Sequence, residues 1–132
     1  MLIKPELLIR KFGIELKRIG VEDLEKLRTW RNSEYVNNRM ISNEYITKNM
    51  QENWFKGINN EINYYFIAKF NEEDVSVISI KNIENNSGEG AIYLVSEEFE
   101  NTGILARIVL CFNDFVFDQI NLDYIYHIPL IN

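Results

Sequence analysis

The stretch 98-EFENTGILARIVLCF-112 decides how this chain is read. Behind Gly103, residues Ile104, Leu105, Ile108, Val109, Phe112, Phe115 and Val116 recur at helical spacing, which predicts a helix over 103–118. Two roles are open for the glycine. It opens an anion-binding helix, whose first N–H groups have no partner within the helix, or it is only a turn residue in front of a core helix. On either side lie strand patterns, 91-AIYLV-95 before and 122-LDYIYHI-128 after, the latter ended by Pro129. A helix of this length between two strands suits a right-handed parallel crossover. Open α/β sheets take ligands beyond the C-terminal ends of their strands, beside helix N-termini.

Upstream, 14-IELKR-18 alternates and reads as a strand. Val21, Leu24, Leu27 and Trp30 recur every third residue, with Glu22 and Asp23 in the first turn, and predict a helix over 21–32. Residues 33–45 are polar and irregular. Thr47 caps a second helix over 48–58, with Met50, Trp54 and Ile58 on one face. Strands follow at 64-YYFIAKF-70 and 75-VSVISI-80, paired as a hairpin through 71-NEED-74, and 84-ENNSGEG-90 reads as a second turn. The order is β-α-α-β-β-β-α-β in one domain spanning 1–132.

Composition excludes several function classes. With 132 residues, 46% hydrophobic and 13% aromatic, the chain can build a sizeable core. A net charge of −6 without a Lys/Arg block makes it a poor partner for nucleic acid. Backbone N–H groups can still hold a phosphorylated cofactor. One cysteine, Cys111, permits no intramolecular disulfide and reads as a small buried hydrophobe. With one Cys and one His there is no zinc-site pattern, and no metal is expected. The start MLIKPELLIRKFG interrupts its apolar residues with charges and Pro5, unlike a signal peptide. No apolar run approaches the ~20 residues of a membrane span, so the expected compartment is the cytoplasm.

The segment 22-EDLEKLRTWRNSEYVNNRM-40, with Trp30-Arg31-Asn32 and the later Trp54-Phe55 pair, resembles the GNAT superfamily of acetyl-CoA-dependent N-acetyltransferases. Within it the likeness is to the ribosomal-protein alanine and nucleotide-sugar amine acetyltransferases. The resemblance covers residues 14–128. It implies a mixed, mostly antiparallel sheet with one parallel βαβ crossover, acetyl-CoA as co-substrate, and a small-molecule primary amine, such as a nucleotide-linked amino sugar, as acceptor. It also implies a further helix and strands after 127-HIPLIN-132, so the chain is read as incomplete at its C-terminus. Two rival readings stand beside the first. One is a catalytically silent module that pairs through an exposed sheet edge as a homodimer. The other is a protein N-terminal acetyltransferase.

The resemblance also implies site residues. The family's diphosphate loop, Arg/Gln-x-x-Gly-x-Gly/Ala, falls on Glu100-Asn101-Thr102-Gly103-Ile104-Leu105, where only Gly103 matches. Asn101, Thr102, Gly103 and Ile104 would seat the diphosphate, and the backbone of Tyr93, Leu94 and Val95 would carry the pantetheine arm. From residue chemistry, His127 at the end of the last strand pattern is the candidate base, since histidine is the side-chain type suited to proton transfer near neutral pH, and Tyr93 is the candidate acid. Arg31, Asn32 and Met40 are the expected acceptor contacts, Arg31 through a two-bonded grip on a phosphate or carboxylate. Trp30, Trp54 and Phe55 are expected in the core. Glu97, Glu98 and Glu100 are expected on a solvated rim.

Overall fold

The computed structural model describes residues 7–40 and 42–127. Six strands form one sheet whose spatial order follows the chain, and only the last pair is parallel. They are β1 (Leu8–Lys11), β2 (Ile14–Arg18), β3 (Tyr64–Phe70), β4 (Glu73–Glu84), β5 (Ser87–Leu94) and β6 (Tyr124–His127). The helices are α1 (Leu24–Asn32), led in by a 3₁₀ turn at Val21–Asp23, then α2 (Glu34–Asn37), α3 (Lys48–Ile58) and α4 (Ile104–Asp114). α4 runs on into a π-turn at Phe115–Gln119. The expected strand end at 128 and the stop at Pro129 lie outside the described residues.

The predicted order holds, with two additions. β1 pairs antiparallel with β2 through Phe12-Gly13, and α2 lies within the segment read as irregular. The connections differ in length from the sequence reading. Asn71-Glu72 alone joins β3 to β4, and Asn85-Asn86 alone joins β4 to β5. Each of these turns, like Phe12-Gly13, has both central residues at positive φ, the form that matches the twist of a two-residue hairpin. The stretch 87-SGEG-90 is therefore strand. A Cβ on Gly88 would lie 2.6 Å from Ile80 Cγ1, and one on Gly90 2.6 Å from Ile125 Cγ2. Neighbouring isoleucines occupy the space a side chain would take, so glycine here permits close packing.

Two cores form, one on each face. On one face α4 lays Ile104, Ile108, Cys111, Phe112, Phe115 and Val116 against Leu16, Phe66, Ile78 and Ile80. Those helix positions are i, i+4, i+7, i+8, i+11 and i+12, one stripe of an α-helix. Phe66 meets Phe112 and Phe115 edge-on at 6.1 and 5.1 Å, a favoured aromatic geometry. On the other face α1 and α3 cover Ile67 and Val77 with Leu27 and Phe55, and Trp30, Trp54, Tyr65 and Tyr93 pack around them. Thr47 caps α3 as expected, its Oγ1 accepting from the Met50 N–H at 3.1 Å. Cys111 is fully buried.

Candidate functional site

β5 and β6 pair only from Ser87↔Tyr124 to Gly90↔His127. Beyond Gly90, β5 continues four residues that stay paired with β4 on one edge, while on the β6 side no strand lies beside them among the described residues. Main-chain groups of successive residues point to opposite edges of a strand. The Val95 N–H donates to the Val75 carbonyl at 2.9 Å, so Val95 and, by alternation, Tyr93 face β4. Ile92 and Leu94 then present their N–H and C=O groups to the open edge. Gly90 has the same parity, and its carbonyl meets His127 Nδ1 at 3.1 Å. Of the expected pantetheine contacts, Leu94 faces the opening through its main chain, while Tyr93 and Val95 are committed to the sheet.

From the end of β5 the chain leads through a 3₁₀ turn at Glu97–Phe99 to the N-terminus of α4. Gly103 precedes the helix at φ 79°, ψ −5°, a left-handed conformation that costs other residues about 1–2 kcal/mol. No side chain caps the helix in the usual way; the Ile104 N–H makes only a 3.3 Å contact with Thr102 Oγ1, which itself donates to the Phe99 carbonyl at 2.7 Å. A Cβ on Gly103 would meet nothing within 4 Å, so the space beside this glycine is open. Leu105 is 41% exposed and lies outside the core. Glu100, in the place of a cation or amide, has its carboxylate drawn to α2. Tyr35 Oη donates to Glu100 Oε1 at 2.8 Å, and Arg39 Nη2 approaches the same oxygen at 3.4 Å. The residues present thus fit a diphosphate through backbone amides.

On the α1–α3 face lies a cavity of about 280 Å³ lined by Arg31, Met50, Trp54, Tyr65 and Tyr93. Arg31 Nε is buried there without a hydrogen-bond partner among the described residues, a costly state for a charged group unless something fills the site. Burial pushes the phenols of Tyr65 and Tyr93 above the ordinary tyrosine range. Trp54 meets Tyr65 edge-on at 5.0 Å. Asn32 lies beside this cavity, but both ends of its amide hold Ile46. Its Nδ2 donates to the Ile46 carbonyl at 2.9 Å, and its Oδ1 accepts from the Ile46 N–H at 2.7 Å. With Arg28 Nη1 donating to the same carbonyl at 3.2 Å, α1 fixes the cavity wall that Ile46 forms. Met40 follows α2 and is not among the residues lining this cavity.

The two expected catalytic residues fall on opposite faces of the sheet. Tyr93 packs on the α1–α3 side. His127 lines a separate cleft of about 330 Å³ on the α4 side with Ile92, Val109 and Phe112. The sequence reading assigned no site role to Tyr65, to Met50 or to the ion pair of Lys81 with Glu89, 3.1 Å apart and with Glu89 only 14% exposed. Strand parity held a signal for one of them: Tyr65 pairs with Ser79 and Tyr93 with Val77, which places both phenols on one face. Among the described residues there is no group of three potential metal ligands, and no helix is long and apolar enough to cross a membrane.

No protein-family model matches the chain, and no curated protein matches it. Solved structures do. Spermidine N-acetyltransferase from Vibrio cholerae in complex with CoA and spermine superposes with a TM-score of 0.77 at 17% identity, covering 89% of this chain and 71% of that one. A dodecameric structure of the same enzyme in an intermediate state gives 0.71 at 18%, with 89% and 70% covered. A probable acetyltransferase gives 0.64 at 15%, with 88% and 70% covered. The chain therefore has a GNAT-like fold, a mixed sheet that is mostly antiparallel with one parallel crossover.

Proposed function

We propose that this chain is an acetyl-CoA-dependent N-acetyltransferase acting on a primary amine of a small molecule. The observation that carries the reading is the edge at Ile92 and Leu94, unpaired among the described residues, from which the chain leads to the uncapped N-terminus of α4 behind Gly103. Acetyl-CoA supplies an activated acetyl group on sulfur. The open main-chain groups of Ile92 and Leu94 hold the pantetheine arm as a short strand would, and the Gly103, Leu105 and Ala106 N–H groups face the diphosphate. Tyr93, protonated throughout the working pH range because burial raises its pKa, is a hydrogen-bond donor on the acceptor side.

The acceptor enters the cavity lined by Arg31, Trp54 and Tyr65, where the guanidinium calls for an anionic group on the same molecule as the amine. A nucleotide-linked amino sugar meets both demands through its phosphates. A spermidine-like polycation does not match that guanidinium.

Calorimetric titration with CoA tests the first part, with binding in the micromolar range expected. No heat at millimolar ligand would overturn the enzymatic reading in favour of a silent module. For the acceptor, Arg31→Ala is expected to raise the KM of an anionic amine roughly 10- to 100-fold, with CoA affinity unchanged, by removing a charge-assisted pair. An unaltered KM would take Arg31 out of acceptor binding.

A further inference from the structure

Glu100 is the residue that least suits a diphosphate loop, and its contacts point elsewhere. Its carboxylate accepts from Tyr35 Oη at 2.8 Å and lies 3.4 Å from Arg39 Nη2. Arg39 stacks on the Tyr35 ring at 3.8 Å and donates through Nη1 to the Tyr35 carbonyl at 2.8 Å. One acid on the loop before α4 thus holds Tyr35 of α2 together with Arg39, which follows that helix. α2 is in turn continuous with the acceptor side. Ser33, the residue after Asn32, accepts from the Val36 N–H through Oγ, and Val36 is buried. Asn37 Nδ2 reaches the Glu44 carbonyl, on the loop that ends at the cavity wall.

We infer that Glu100 is a positioning residue: through Tyr35 and Arg39 it joins α2 to the diphosphate loop, so that occupancy of the loop orders the acceptor side. The inference rests on the proposed cofactor site. A ligand seated on the amides behind Gly103 fixes the loop, and Glu100, three residues earlier, carries that restraint to α2. The arrangement also removes the objection that an acid here repels phosphate, since Arg39 offsets its charge. An exposed ion pair alone contributes little, so the Tyr35 hydrogen bond, charge-assisted and directional, is the main link.

Hydrogen exchange with and without CoA tests this on the intact chain. In the unaltered protein CoA is expected to slow exchange both at 97–106 and at 33–40, the latter roughly 5- to 10-fold. In Tyr35→Phe the slowing at 97–106 remains and that at 33–40 disappears. Glu100→Gln, whose amide oxygen still accepts from Tyr35, retains most of it, whereas Glu100→Ala loses it. Neither Glu100 variant binds CoA more tightly at low ionic strength. Equal slowing of 33–40 in Tyr35→Phe, or tighter binding by Glu100→Gln at low salt, would overturn the coupling and leave the cofactor site standing. CoA that protects neither segment of the unaltered protein would overturn both.

Discussion

Replacing Gly103 by valine is expected to weaken CoA binding roughly 10- to 100-fold. Two costs add. A β-branched residue at φ 79° sits in a region that disfavours L side chains by about 1–2 kcal/mol, and relief of that strain turns the loop away from the helix axis. The branched side chain would also occupy space beside the turn that is now empty. Asparagine tolerates the left-handed region better than other non-glycine residues, so Gly103→Asn should stay within a few-fold of the original. Titration calorimetry of the two variants separates them. Equal affinity for valine and glycine would mean that no ligand sits on this turn. The folded state should lose no more than that backbone cost of about 1–2 kcal/mol, because Gly103 is exposed.

Gly90→Val is expected to act on the fold itself. The added Cβ would lie 2.6 Å from Ile125 Cγ2 and 3.3 Å from His127 Cε1, so β6 must move off β5 or the sheet must deform. Overpacking of this kind costs about 3 kcal/mol at its upper end, equivalent to a fall in Tm of roughly 10 °C for a domain of this size. Because β6 is held by four paired residues among those described, the strain is released there, at the mouth of the proposed cofactor cleft. Thermal denaturation with and without CoA shows both effects, with lost stability and a smaller ligand-induced rise in Tm. Gly57→Ala provides the contrast. Gly57 lies in α3 with nothing near its missing Cβ, and alanine there should stabilise by about 0.5–1 kcal/mol. A Gly90 variant as stable as the original would show that β5 and β6 are less closely apposed than described.

These two glycines also mark what sequence patterning revealed and what it hid. The α4 stripe was legible because its buried positions follow the helical period without a break. The β3–β4 hairpin was legible from two strand-forming apolar runs, 64–70 and 75–80, across a short polar break. β5 was read as beginning at 91, since serine and glycine at 87–90 look like a turn until Ile80 and Ile125 are known to fill the missing volume. β1 was missed because an edge strand with three of four residues exposed carries no alternation. At the site, the glycine-led helix was visible as a pattern, whereas the direction of Glu100 was not. Its partners Tyr35 and Arg39 are more than 60 residues away in sequence, and no local rule links them. Asn32 illustrates the reverse limit: it was singled out as an acceptor contact, and its amide is taken up on both sides by the Ile46 main chain.

The chain-ordered sheet has a consequence for how the molecule assembles. Strands β3, β4 and β5 are joined by two-residue turns, so their contacts are local and cost little loop-closure entropy. Two closures are long: β2 must find β3 across all three N-terminal helices, and β6 must find β5 across α4. The three-stranded meander is therefore expected to form early and to serve as a template. The short parallel β6 then docks late, which makes the proposed cofactor cleft among the last parts of the molecule to take shape.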